Sequence, residues 1–332
     1  MRFVVAGSVS TSRITIDVLR ENGANIVGIL GLKESFAQNV SGYASLRDVA
    51  AQVGVPYLEF SSINSVDILD RLSEWAPDFI FVVGLSQLVG VQFLRIPKQC
   101  CIGFHPTRLP EGRGRAPLAW LVMDAKPGAA TLFVMGEGAD SGEILEQIPF
   151  EVEPSDYAED VLRRTEAALE VALGRLVPRL MAGDVDGKIQ EERHATYYGK
   201  RAPEDGLIDW SLSAEEICRL IRAASRPHPG AYTFYSGAKL IVWKAEVEQE
   251  LQAKGVIGRV LATAPGGHRI VQAGSGLVKL IEAEFAQEDG RMPLIGAKLG
   301  IDSQNAIHEL SQRVIKLEKM MEEILKRNEG AA

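Results

Sequence analysis

The chain has 332 residues, 46% hydrophobic and 24% charged, enough for a buried core spread over two or three domains. Its formal net charge of −8 disfavours a partner held mainly through nucleic-acid phosphates, while a local basic pocket stays compatible with it. No apolar run reaches the roughly 20 residues that cross a bilayer, the opening Met1-Arg2-Phe3-Val4-Val5-Ala6-Gly7 is too short for a secretory signal, and Cys100, Cys101 and Cys218 give neither a disulfide framework nor a zinc spacing, so a cytoplasmic protein with reduced thiols is expected.

The first half alternates short apolar runs with helical patterns, the rhythm of βαβ units around a parallel sheet. Strands are expected at residues 2–6, 25–31, 56–60, 79–83 and 101–105, and helices at 12–21, 46–53 and 66–75. Two further strands at 130–135 and 143–150 and a long helix at 157–182 complete a Rossmann-like, mostly parallel α/β domain over residues 1–190. Gly7-Ser8-Val9-Ser10 follows the first strand without the G-x-G-x-x-G spacing that brings a backbone to a pyrophosphate, which sets aside a nicotinamide cofactor.

In an open α/β sheet, ligands bind beyond the carboxyl ends of the strands. His105 ends one such strand, and Asp140 lies in the loop of a neighbouring one, so the two are expected to face a common cleft. A His beside a carboxylate holds one tautomer and passes protons near neutral pH. In Gly112-Arg113-Gly114-Arg115 the glycines permit a tight turn, and the arginines suit a phosphate or carboxylate; the alternative is a solvated turn with Arg113 buried in an internal ion pair. His194, His228, His268 and His308 are scattered and make no ligand pattern, so no metal is expected.

Residues 191–205 read as a polar linker. Beyond it, a helix at 214–224 and strand-like runs at 231–235, 239–247, 256–262, 268–272 and 276–284 suggest a small, open, OB-like β-barrel over residues 206–300. A final helix is expected at 303–328, where Ile307, Leu310, Val314, Leu317, Met321 and Ile324 fall three and four apart, the seam of a coiled coil. It spans under three heptads, and a lone amphipathic helix packed on its own domain would carry the same stripe; self-association through residues 304–326 is the other expectation.

Gly103-Phe104-His105-Pro106-Thr107-Arg108-Leu109-Pro110-Glu111-Gly112-Arg113-Gly114 and Gly138-Ala139-Asp140-Ser141-Gly142 closely resemble the signature of the 10-formyltetrahydrofolate-dependent formyltransferases, Asn-x-His-x-Ser-x-Leu-Pro-x-x-Arg-Gly followed by Asp-x-Gly. The Asn position holds Gly103. Residues 201–210 and 221–232 look like the linker and barrel start shared by methionyl-tRNA formyltransferase and the enzyme that modifies UDP-4-amino-4-deoxy-arabinose, so the likeness covers about residues 1–300. Arg113-Gly114-Arg115-Ala116-Pro117-Leu118 with Trp120, and residues 293–300, are closer to the sugar-modifying branch.

The resemblance implies His105 and Asp140 as catalytic residues, Gly84, Leu85, Ser86, Gln87 and Leu88 together with Asp140 as the folate site, and Tyr43, Thr107 and Arg115 on the acceptor side. It implies a formyl group passed from 10-formyltetrahydrofolate to the amine of a nucleotide-linked amino sugar, for surface polysaccharides such as lipopolysaccharide. The alternatives are methionyl-tRNA as acceptor, and a catalytically weak sugar-nucleotide or folate-binding relative. In the family the missing Asn donates to the formyl oxygen, and loss of one such donor costs on the order of 10²- to 10³-fold in turnover. Its substitutes are a protonated His105, a loop N–H, Ser86, Gln87 or an ordered water.

Overall fold

The computed structural model describes residues 1–287, 290–300 and 303–329. Contacts divide the chain into one unit of Met1–Gly206 with Arg219–Gly230 and another of Leu207–Cys218 with everything from Ala231 onward.

The first unit runs β1 (Arg2–Gly7), α1 (Ser10–Glu21), β2 (Asn25–Leu32), α2 (Arg47–Val53), β3 (Tyr57–Phe60), α3 (Val66–Trp75), β4 (Phe79–Val83), α4 (Val91–Leu94), β5 (Cys100–His105), β6 (Arg113–Gly114), α5 (Pro117–Asp124), β7 (Gly128–Val134), β8 (Ile144–Phe150), α6 (Ala158–Met181) and β9 (Tyr197–Tyr198). Seven strands form one sheet in the order β3-β2-β1-β4-β5-β7-β8. The first five are parallel, and β7 pairs antiparallel with both β5 and β8.

Successive side chains of a strand point to opposite faces, and a parallel sheet covered on both sides is apolar at every position. All five residues of β4 are buried accordingly. Phe3, Val5, Phe79, Phe81 and Ile102 pack on one face with Ile16 and Leu19 of α1 and Leu169 and Leu173 of α6. Val4, Ala6, Ile80, Val82 and Cys101 turn the other way, onto Ile68, Leu72 and Trp75 of α3. The rings of Phe3 and Phe79 stack at 5.5 Å between centroids.

Residues 191–205 are structured within the first unit: Glu192–His194 makes one helical turn, and β9 pairs in parallel with β6.

The second unit holds an antiparallel sheet of β10 (Ala231–Tyr235), β11 (Ala238–Glu248), β12 (Val260–Thr263), β13 (Arg269–Gln272) and β14 (Leu277–Phe285), ordered β10-β11-β14-β13-β12. Its edges β10 and β12 leave it open, and Leu240, Val242, Val260, Val271, Val278 and Leu280 are buried in its core. The strand expected from 256 starts at Val260, because Gly258 turns the chain at φ +76° and exchanges backbone hydrogen bonds with Gln272 and Leu299. Helix α7 (Ala214–Ala224) precedes the sheet, and α8 (Ser303–Glu329) ends the chain. The seam residues of α8 are exposed, from 51% at Val314 to 63% at Ile307 and Met321, whereas packing on its own domain would have buried them; the side chain of Ile324 lies outside those described. Among the described residues no helix is long and apolar enough to cross a membrane.

Candidate active site

Strand β5 delivers His105, 5% exposed, at the carboxyl edge of the sheet. Gly103 pairs with Val82 of β4, which sets His105 level with Gly84 at the start of the 84–88 loop. After His105 the chain loops back so that the Gly112 carbonyl lies 2.8 Å from His105 Nε2. A carbonyl only accepts, so Nε2 carries the proton and donates to it. In the neutral ring, Nδ1 is then the basic nitrogen.

Nδ1 lies 3.6 Å from Asp140 Oδ2, beyond a direct hydrogen bond but close enough for the carboxylate to stabilise a proton arriving on the ring. Asp140 sits in the β7–β8 loop at φ +51°, a left-handed conformation that needs support from its surroundings. Three hydrogen bonds supply it. The Gly114 N–H donates to Asp140 Oδ2 at 2.9 Å, and Gln190 Nε2 donates to the carbonyls of Asp140 and Gly142 at 2.8 and 2.7 Å. Gln190 Oε1 in turn accepts from Nε and an amino group of Arg113 at 3.2 and 3.0 Å.

Arg113 is therefore a structural cation. It is 1% exposed and also donates to Glu192 and to the Tyr197 hydroxyl, so the internal-ion-pair reading of the basic loop holds for this arginine. The Gly112 N–H donates to Thr196 Oγ1 at 2.8 Å, and the N–H groups of Arg113 and Arg115 donate to the carbonyls of Thr196 and Tyr198. Residue 114 has to be glycine: it has φ +110°, and a Cβ there would lie 2.4 Å from the Tyr198 carbonyl oxygen. Tyr198 stacks on Trp120 at 5.6 Å, Trp120 Nε1 donates to the Gly199 carbonyl, and the Arg201 guanidinium lies over the Trp120 ring. The stretch read as a linker, residues 191–205, thus clamps the loop of residues 112–115, and Gln190 just before it clamps the Asp140 loop. Polar composition hid Gln190 and Thr196, and a two-residue strand carries no periodicity by which β9 is recognised.

The remaining candidates fall into two groups. Thr107 is 2% exposed and joins the His105 loop; its hydroxyl donates to the carbonyls of Glu111 and, at 3.4 Å, Gly112, which braces the turn. Arg115 is exposed on the same loop. In the loop after β4, Gly84 has φ +66° and its carbonyl accepts from Ser8 Oγ, while Leu85 is half-buried and Ser86 and Leu88 are exposed. Gln87 clamps the neighbouring loop, accepting from the Ile63 N–H and donating one amide N–H to the Ser61 carbonyl. Tyr43 bridges to Val9, just ahead of α1, and its hydroxyl donates to the Leu32 carbonyl at 3.0 Å; burial and the nearby Glu34 and Glu59 carboxylates push its phenol pKa up.

Beside Tyr43, His228 sets Nδ1 3.2 Å from Ser41 Oγ. Burial, with help from Arg201, pushes its pKa down to about 4, so this imidazole is neutral at physiological pH. Burial also pushes Cys100 up to about 11 and Cys101 higher still, which leaves both as thiols rather than nucleophilic thiolates. Among the described residues no group of three or more His, Cys, Asp or Glu is placed to hold a metal ion.

Two family models match the sequence, Formyl transferase over residues 1–176 and Formyl transferase, C-terminal domain, over residues 200–292. The chain belongs to the formyltransferase family. Solved structures share its fold at low identity. HypX from Aquifex aeolicus in complex with tetrahydrofolic acid is 18% identical with a TM-score of 0.64; the match covers 87% of this chain and 45% of HypX, so this chain spans under half of that protein. An N-formyltransferase from Helicobacter canadensis in complex with folinic acid and dTDP-3-aminofucose is 16% identical, with a TM-score of 0.58 over 84% of this chain and 98% of that one. Methionyl-tRNA formyltransferase from Clostridium thermocellum is 19% identical, with a TM-score of 0.55 over 75% and 94%.

In this member of the family, Gly103 is a filled position. A Cβ there would lie 2.6 and 2.9 Å from the Phe133 ring and 3.0 Å from Met135 Cγ, and Phe133 is the residue directly opposite on β7. An asparagine therefore has no room without displacing a buried aromatic ring. Gly103→Asn is expected to lower stability by about 1–3 kcal/mol, the usual cost of overpacking, and to give no gain in formyl transfer. Thermal unfolding and an activity assay check this, and a stable variant with raised turnover would refute it.

Proposed function

We propose that this formyltransferase moves a formyl group from 10-formyltetrahydrofolate to the amine of a nucleotide-linked amino sugar, for surface polysaccharide synthesis in the cytoplasm. The observation that carries the reading is His105, buried, fixed at Nε2 by the Gly112 carbonyl and turned at Nδ1 toward a clamped Asp140. The Helicobacter canadensis N-formyltransferase, which has the same fold, holds a folate and a dTDP-linked amino sugar together.

The residues fit such a folate. The loop of Gly84, Leu85, Ser86, Gln87 and Leu88 follows the strand that pairs with β5, with the Ser86 and Leu88 side chains exposed and Gln87 bracing it. 10-Formyltetrahydrofolate supplies an activated formyl carbon. His105 Nδ1 accepts the proton of the attacking amine, and Asp140 stabilises the resulting imidazolium, which returns the proton to the departing folate nitrogen. Gly103 offers no side-chain donor, so negative charge on the formyl oxygen is met by the His105 proton, the exposed Ser86 hydroxyl or the second N–H of the Gln87 amide, whose first donates to the Ser61 carbonyl. Exposed Arg115 suits the sugar-nucleotide phosphates, Tyr43 offers a ring whose hydroxyl is anchored, and Thr107 shapes the loop between them.

Incubation with 10-formyltetrahydrofolate and a panel of UDP-, dTDP- and GDP-linked amino sugars, beside charged initiator tRNA, tests the acceptor. A formylated sugar is expected by mass. Formylated methionyl-tRNA with every sugar unchanged would overturn the assignment.

A further inference from the structure

We propose that α8 pairs with the α8 of a second copy of this chain as a parallel, in-register, two-stranded coiled coil. Ile307, Leu310, Val314, Leu317 and Met321 form one unbroken stripe and are 63, 58, 51, 58 and 63% exposed. Single exposed apolar residues are ordinary, whereas a contiguous stripe of this kind marks an interaction surface.

Heptad chemistry selects the occupant. With Ile307 at a, Leu310 falls at d, Val314 at a, Leu317 at d and Met321 at a. Branched Ile and Val at a with Leu at d is the combination that packs as two parallel strands. Arg313 then occupies a g position and Glu318 the e position of the following heptad, the two places that face each other across a parallel pair. Two-fold symmetry makes this contact twice, with opposite charges each time. An antiparallel pairing through the same seam sets position 314 against 317, and thereby places Arg313 opposite Met320 and Ser311 opposite Glu318, with no charge pairing. Both Arg313 and Glu318 are exposed, as flanking positions of such a seam have to be before assembly.

Sedimentation of the 332-residue chain across the micromolar range, together with cysteine cross-linking, tests the proposal. A concentration-dependent dimer is expected, and Leu310→Asp combined with Leu317→Asp should abolish it. Arg313→Glu should weaken it by about tenfold, and adding Glu318→Arg should restore it. Leu317→Cys should form a disulfide between copies on mild oxidation, because d faces d in the parallel register. Three results would each overturn the proposal: a monomer throughout the range, a dimer indifferent to the double Asp variant, or cross-linking only between copies carrying Val314→Cys and copies carrying Leu317→Cys.

Discussion

Replacing His105 with Gln is expected to cut turnover by about 10²- to 10⁴-fold, the usual contribution of a general acid–base, while folate affinity changes little. The substitution separates two functions of one ring. A glutamine amide N–H still donates to the Gly112 carbonyl, so the loop that the imidazole holds at 2.8 Å stays anchored, but nothing at 105 accepts a proton. Steady-state kinetics with folate binding measured by calorimetry check it: kcat should collapse with Kd nearly constant. Turnover within tenfold of the unaltered chain would remove His105 from the proton path.

The second large effect is expected at Gln190, which no motif marks. Gln190→Leu leaves two buried N–H groups of Arg113 without their partner, each unmet group costing about 1–3 kcal/mol, and also frees the partly buried carbonyls of Asp140 and Gly142. Asp140 then loses one of the contacts that hold it at φ +51° beside His105. A displacement of about 1 Å at a catalytic group costs on the order of 10²-fold, so kcat should fall by about 10- to 100-fold with the acceptor KM nearly unchanged. Gln190→Glu distinguishes the two sides of the clamp. It keeps an acceptor for Arg113 and loses the donor to the two carbonyls, so it should be as impaired in kcat as the Leu variant. Recovery of activity in Gln190→Glu would show that the Arg113 contact alone matters, and that Gln190 does not position Asp140.

These two residues also mark how far the sequence was legible. The central strands announced themselves because a parallel sheet covered on both faces demands apolar residues at every position, as in the five buried residues of β4. That His105 and Asp140 lie side by side was legible for a different reason: the loop chemistry around them is a residue pattern as well as a shape. Gln190, Thr196 and Tyr198 carry neither kind of signal. They act through backbone hydrogen bonds to loops some 50 to 84 positions away, in a stretch whose polarity looks like a solvated connection. The filling of Gly103 was hidden in the same way, since it depends on the antiparallel register that sets Phe133 opposite. Val260 as the start of its strand followed from a turn at Gly258 that β-propensity alone ignores.

The single measurement that bears most directly on the account is multiple-turnover formyl transfer by the unaltered protein, with saturating 10-formyltetrahydrofolate and amino-sugar nucleotide, run beside Asp140→Asn. His105 and Asp140 acting without a side chain at 103 predict many formylated acceptors per protein molecule and a drop of at least about 10²-fold in the variant. A protein that binds folate yet formylates nothing, or an Asp140→Asn variant as fast as the unaltered chain, would contradict it.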